Sequence, residues 1–128
     1  MTIIDKIKNL LRQKQQEIPP MPLWEEIVKI MYDKNLDAFA DEVVKVVYSK
    51  DKTMRYVLLK DKKGLFTYQL EAICPFDEDE WKYIFSQDNA LPAAWELFYG
   101  TAGKSFFANE EECLKEMRTE PEYKSYFC

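Results

Sequence analysis

The stretch VVKVVYSKDKTMRYVLLKDKKGLFTYQLEAI, residues 43–73, decides the fold class. Val43-Val44-Lys45-Val46-Val47-Tyr48 is dominated by β-branched side chains and reads as a strand. Met54 to Leu59 reads as a second strand and Leu65 to Ile73 as a third. In the third, Phe66, Tyr68, Leu70 and Ala72 alternate with Thr67, Gln69 and Glu71, which predicts one buried and one wet face. Both faces of the first strand are apolar at Val43, Val44, Val46 and Val47, which predicts a central or doubly covered strand. Lys60-Asp61-Lys62-Lys63-Gly64 is a charged loop ending in the residue that best tolerates a left-handed backbone, and suits a hairpin. Ser49-Lys50-Asp51-Lys52-Thr53 has the same role in the preceding hairpin. The expectation is an antiparallel β-meander of three strands, with Ser105-Phe106-Phe107-Ala108 as a candidate fourth on an edge.

On either side of this block the apolar period becomes helical. Ile3, Ile4, Ile7, Leu10 and Leu11 predict a helix over residues 2–17, capped by Thr2 with Asp5. Ile18-Pro19-Pro20-Met21-Pro22 breaks it, because each proline disfavours helix in the residue before it. Residues 1–20 therefore read as a detachable helix and linker on a single α+β domain of residues 1–128. A helix over about 23–34 follows, with Trp24, Ile27, Ile30 and Met31 as its stripe, completing an N-terminal helical pair. Beyond the strands, Asp77-Glu78-Asp79-Glu80 opens a helix carrying Trp81, Ile84 and Phe85. Pro92 is expected to start a short helix with Trp95 and Phe98 inward. Asn109 caps a later helix, with Glu112 completing a capping-box pattern, and the chain restarts at Pro121.

Composition narrows the function. The chain has 128 residues, 47% hydrophobic and 15% aromatic, enough to pack one domain. Its charge is −5, divided as +3 over residues 1–64 and −8 over residues 65–128. An acidic surface repels phosphate backbones, which argues against nucleic acid; a basic protein partner, or plain solubility, fits better. Histidine is absent, which removes His-dependent triads and HExxH zinc sites. Cys74, Cys113 and Cys128 form neither a CxxC nor an even set, so free thiols in a reducing cytoplasm are the simplest reading. No apolar run approaches a membrane span, and no cofactor motif is present.

One motif invites a nucleotide. GTAGKS, residues 100–105, matches the end of G-x-x-x-x-G-K-[ST]. The leading glycine belongs at position 98, which is Phe98, and the order of elements expected around it, helix then strand, is the reverse of a phosphate loop's. It reads as a Gly-rich turn. The acidic run Asp77-Glu78-Asp79-Glu80 lacks the glycine and distal ligand spacing of a calcium loop. Carboxylates favour the first turn of a helix, where they offset the positive end of its dipole, and Glu110-Glu111-Glu112 has the same explanation. These seven residues, Asp77, Glu78, Asp79, Glu80, Glu110, Glu111 and Glu112, are the candidate partner-facing surface. The lysines at 50, 52, 60, 62 and 63 read as solvated hairpin ends.

The stretch VVYSKDKTMRYVLLKDKKGLFTYQLEAICPFDEDEWKYIF…ALPAAWELF…GKSFFANEEECLKEM, within residues 43–127, resembles a family of small uncharacterised bacterial proteins. In general style the chain is also similar to immunity proteins of polymorphic toxin systems: small, acidic, aromatic-rich and without a catalytic motif. That likeness implies a non-enzymatic protein that blocks a basic partner by occlusion, acidic residues steering it and aromatics holding it. Two other readings stand beside it. One is an enzyme or small-ligand binder using a carboxylate or Tyr pocket. The other is a structural role in which residues 2–17 form a homodimer.

Overall fold

The computed structural model describes residues 2–7, 19–85, 90–98 and 105–128. Four strands, β1 (Glu42–Tyr48), β2 (Met54–Lys60), β3 (Phe66–Pro75) and β4 (Ala93–Leu97), form one antiparallel sheet in the order β1-β2-β3-β4. The chain is α+β, and the meander read from residues 43–73 is its centre. Helix α1 (Trp24–Met31) and the 3₁₀ turn Leu36–Ala38 precede the sheet; α2 (Glu78–Ile84) lies between β3 and β4; α3 (Glu110–Met117) and α4 (Pro121–Tyr126) follow it.

Each turn has a local cause. Gly64 takes φ 84°, and the Asp61 carboxylate accepts from the Lys63 and Leu65 amides at 2.9 Å, closing the β2–β3 hairpin. In the β1–β2 turn, Asp51 accepts from Ser49 Oγ and from the Thr53 amide and hydroxyl at 2.7 to 3.1 Å. The Thr53 hydroxyl bond is the main reason the Asp51 carboxyl titrates below its ordinary value. Helix α1 stops at Met31, short of the expected residue 34, because Asp33 and Asn35 both take positive φ.

Helices cover both faces of the sheet. On one, Cys113 and Met117 of α3 pack with Met54, Tyr56, Leu58 and Leu70, flanked by Tyr123 and Phe127. On the other, Ile27 and Met31 of α1 pack with Ile73, Ala93 and Trp95. The face of β3 expected to be wet is therefore covered: Thr67 and Glu71 are buried. Alternation in β3 reports two different neighbourhoods: α1 covers the Ile73 end of this side, Arg55 pairs with Glu71, and the Ser105 carbonyl accepts from the Thr67 hydroxyl at 3.0 Å.

Three further expectations change. Residues 93–98, read as a helix behind Pro92, begin with β4. Alanine's helix preference is overridden by pairing with the open edge of β3, where Trp95 lies opposite Ile73 and is buried against α1, its indole N–H bonded to the Met31 carbonyl at 2.9 Å. β1 is not central; it is an edge strand whose register shifts between Val43 and Lys45. That irregularity sends Val44 toward the α3 core, so the paired valines serve a bulged edge, a common protection against pairing with other chains. The interior strands are β2 and β3, and β2 is buried along all of its length but Lys60. Ser105–Ala108 contributes a single bridge, Phe107 to Phe66, in place of a strand.

At the N-terminus, residues 3–7 are helical and Thr2 with Asp5 makes the reciprocal cap read from sequence. Ile3, Ile4 and Ile7 are exposed. The remainder of the expected first helix, and the GTAGKS loop as far as Lys104, fall outside the described residues.

Candidate functional site

The seven acidic candidates occupy two places. Asp77 precedes α2 and forms a full capping box with Glu80: its carboxylate accepts from the Glu80 amide at 2.7 Å, and Glu80 Oε1 accepts from the Asp77 amide at 3.3 Å. Glu78 and Asp79 are exposed and make no such bond. Glu110, Glu111 and Glu112 open α3, where the Asn109 side chain accepts from the Glu112 amide at 2.9 Å. Only that half of the expected Asn109–Glu112 box is present.

The two runs are far apart. Helix α2 begins just beyond Pro75, the end of β3, whereas α3 begins three residues after Phe107, which pairs with Phe66 at the start of β3. A ten-residue strand is about 30 Å long, so the runs stand at opposite ends of it.

Helix α2 carries an exposed aromatic within its acidic turns; α3 has no aromatic of its own, and the exposed Phe106 precedes it by four residues. Tyr83 is 84% exposed, and a cavity of ≈ 470 Å³ is lined by Asp79, Glu80, Tyr83 and Ile84. Tyr83 lies one turn after Asp79, so ring and carboxylate share a face. The opposite side of the helix is fixed by Trp81, whose indole N–H donates to the Pro19 carbonyl at 2.8 Å. The proline linker is thereby seated on α2 at Pro19. The sequence signal for Tyr83 is its position off the Trp81, Ile84 and Phe85 stripe.

A second built region was read from sequence only as solvated lysines. Along α1, Trp24 and Val28, with Tyr32 one turn on, face the β1–β2 turn. A cavity of ≈ 520 Å³ is lined by Trp24, Glu25, Val28, Lys29, Lys50, Asp51, Lys52 and Thr53. It adjoins another of ≈ 310 Å³ bounded by Val28, Lys29, Tyr32 and Lys52. Lys52 takes φ 64° and places its ammonium 5.1 Å from the Tyr32 ring centroid. Lys62 and Lys63, at the other hairpin, line a separate cavity with Asp41, Asp61, Leu65 and Phe106.

Beneath the α1 groove lies a buried polar cluster that sequence reading missed. Arg55, fully buried on β2, donates Nε–H to Glu71 at 2.8 Å and Nη1–H to the Lys34 carbonyl at 2.8 Å, and its guanidinium stands 4.2 Å from the Trp95 ring centroid. Nη2 is buried without a hydrogen-bond partner among the described residues. The one signal was an arginine within Met54 to Leu59, a strand otherwise apolar.

The chemistry of the thiols is restrained. Burial pushes Cys113 up to about 11 and raises Cys74, so both stay protonated at neutral pH, as small packing groups do. Among the described residues no group of three or more Cys, Asp or Glu could hold a metal ion, and no helix is long and apolar enough to cross a membrane. At the phosphate-loop motif, β4 rather than a helix precedes the loop, which removes one argument against nucleotide binding. Two remain: Phe98 stands in the glycine position, and Ser105 is followed by the Phe107 bridge before α3 begins at Glu110. No protein-family model matches the chain, and neither a curated protein nor a solved structure does.

Proposed function

We propose that the protein is a non-enzymatic binding module that holds a basic protein partner on the exposed face of α2, in the manner of an immunity protein that occludes a toxin. The observation that carries this reading is Tyr83, left 84% exposed beside Asp79 and Glu80. Exposed tyrosine supplies a large, rigid contact at small entropic cost, and unpaired carboxylates around it speed the approach of a positively charged surface. Glu78 and Asp79 are the steering charges. Asp77 and Glu80 are committed to the helix cap, so neutralising them tests the helix as well as the interface.

The test is affinity capture from the native host's lysate with the intact protein and with a Glu78→Gln, Asp79→Asn, Tyr83→Ala variant. A basic protein should be retained by the parent, released by raised salt, and lost from the variant. Capture of the same proteins by both would overturn the assignment to α2.

A further inference from the structure

We infer that the groove between α1 and the β1–β2 turn is a second docking site, and that its occupant is a short acidic peptide segment carrying an apolar or aromatic side chain. The floor is Trp24, Val28 and Tyr32; Trp24 and Tyr32 are 45% and 44% exposed. The rim holds Lys29, Lys50 and Lys52, and none of the three makes an ion pair with a described residue. Of the two rim carboxylates, Asp51 is consumed by Ser49 and Thr53, which leaves Glu25 alone against three ammonium groups. Three cations without an ion-pair partner, Lys52 resting against the Tyr32 and Tyr48 rings, surround an apolar floor and complement a ligand that is anionic at its edges and apolar at its centre.

Length favours a peptide. From Trp24 to Tyr32 the helix rises about 12 Å, the span of roughly four extended residues. A long polyanion is opposed by the net charge of −5, which a short segment seated among the lysines avoids. The turn is also rigid before anything binds: Asp51 fixes it from within, and the Lys50 amide donates to the Tyr126 carbonyl at 3.0 Å. A site held in shape beforehand loses little entropy on binding. This face is distinct from α2, and its occupant has the opposite charge.

The test uses the full chain, ¹⁵N-labelled, titrated with a blocked six-residue peptide of alternating Glu and Phe. Amide shifts should map to Trp24, Lys29, Tyr32, Lys50 and Lys52. Lys29→Glu with Lys50→Glu should weaken the peptide about tenfold or more while leaving thermal stability near that of the parent, since both side chains are exposed. Trp24→Ala should weaken it independently. The proposal is overturned if millimolar peptide shifts nothing, if the charge reversals change nothing, or if the Lys-Phe counterpart binds equally. Tighter binding of a single-stranded oligonucleotide at the same residues would also overturn it. So would shifts there that grow with protein concentration alone, which would assign the groove to the acidic helix of a second copy.

Discussion

Under α3 and α4, the hydroxyls of Tyr56 and Tyr68 donate to the two oxygens of one carboxylate, Glu120, at 2.7 and 3.0 Å. Under α1, the Arg55 guanidinium is divided among Glu71, the Lys34 carbonyl and the ring face of Trp95, with one nitrogen left over. Both faces of the sheet bury polar groups, and they do so differently. Glu120 sits at the N-cap position of α4, where negative charge is favoured, and its two donors are neutral. It ties the C-terminal helix to β2 and β3. Arg55 and Glu71 are both charged and both out of water, so their attraction must offset a large desolvation cost. In return they connect the segment after α1 with β2, β3 and β4, and fix which residues meet there.

The difference predicts unequal responses to truncation. Arg55→Met leaves Glu71 buried without its partner and should cost about 3–5 kcal/mol in urea unfolding. Arg55→Met with Glu71→Leu removes both charges and should recover most of that loss. If the double variant is no more stable than the single, the packing of the guanidinium on Trp95 matters more than the ion pair.

Alkali should probe the other face. Burial raises the titration of Tyr56 and Tyr68 above the ordinary tyrosine value of 10.0, Glu120 adding to both, and burial lifts Cys113 to about 11. Groups that hold their protons more tightly when folded contribute stability that is complete below their unfolded values and is lost as pH rises beyond them. Stability should therefore fall from about pH 9, the ordinary thiol value, and more steeply above 10, each group adding roughly 1.4 kcal/mol per pH unit. Tyr68→Phe should flatten that decline in denaturation curves taken at successive pH values. An unchanged slope would mean that the tyrosine–carboxylate cluster does not govern alkaline unfolding.

The sequence made the meander legible because β-branched runs and a Gly-ended loop are local signals. It did not reveal that both faces are covered. Thr67 and Glu71 look solvent-facing in a single strand, and only distant groups cover them: the Ser105 carbonyl, which accepts from the Thr67 hydroxyl at 3.0 Å, and Arg55, which pairs with Glu71, while α1 covers the Ile73 end of that side. β4 was hidden for a related reason: Ala93-Ala94 favour helix locally, and the edge of β3 that overrides them is about twenty residues away in sequence. At the candidate sites, charge was legible and aromatic exposure was not. Asp79 and Glu80 could be named from the run of acids, whereas Tyr83, Trp24 and Tyr32 became candidates only through their exposure beside charged side chains, which no local pattern reports.

The smallest expected effect separates the two halves of the Arg55 cluster. Tyr48 reaches from β1 over the end of α1, where its hydroxyl donates to Asp33 Oδ1 at 2.7 Å and accepts from the Asp33 amide at 2.8 Å. That residue has φ 57°, so the tyrosine holds a left-handed turn in place as the chain leaves the helix. The same hydroxyl lies 3.5 Å from Arg55 Nη1, too long for a strong bond. Tyr48→Phe keeps the ring stacked on Tyr32, at 4.5 Å between centroids, and removes only the hydroxyl. Because these bonds are exposed, the loss should be about 1 kcal/mol, well below that of Arg55→Met. Hydrogen exchange should quicken at the Asp33 amide and stay slow in β2. A loss as large as that of Arg55→Met, with exchange rising in β2, would show that the arginine depends on Tyr48 to hold its place, and that this face is organised from its edge strand inward.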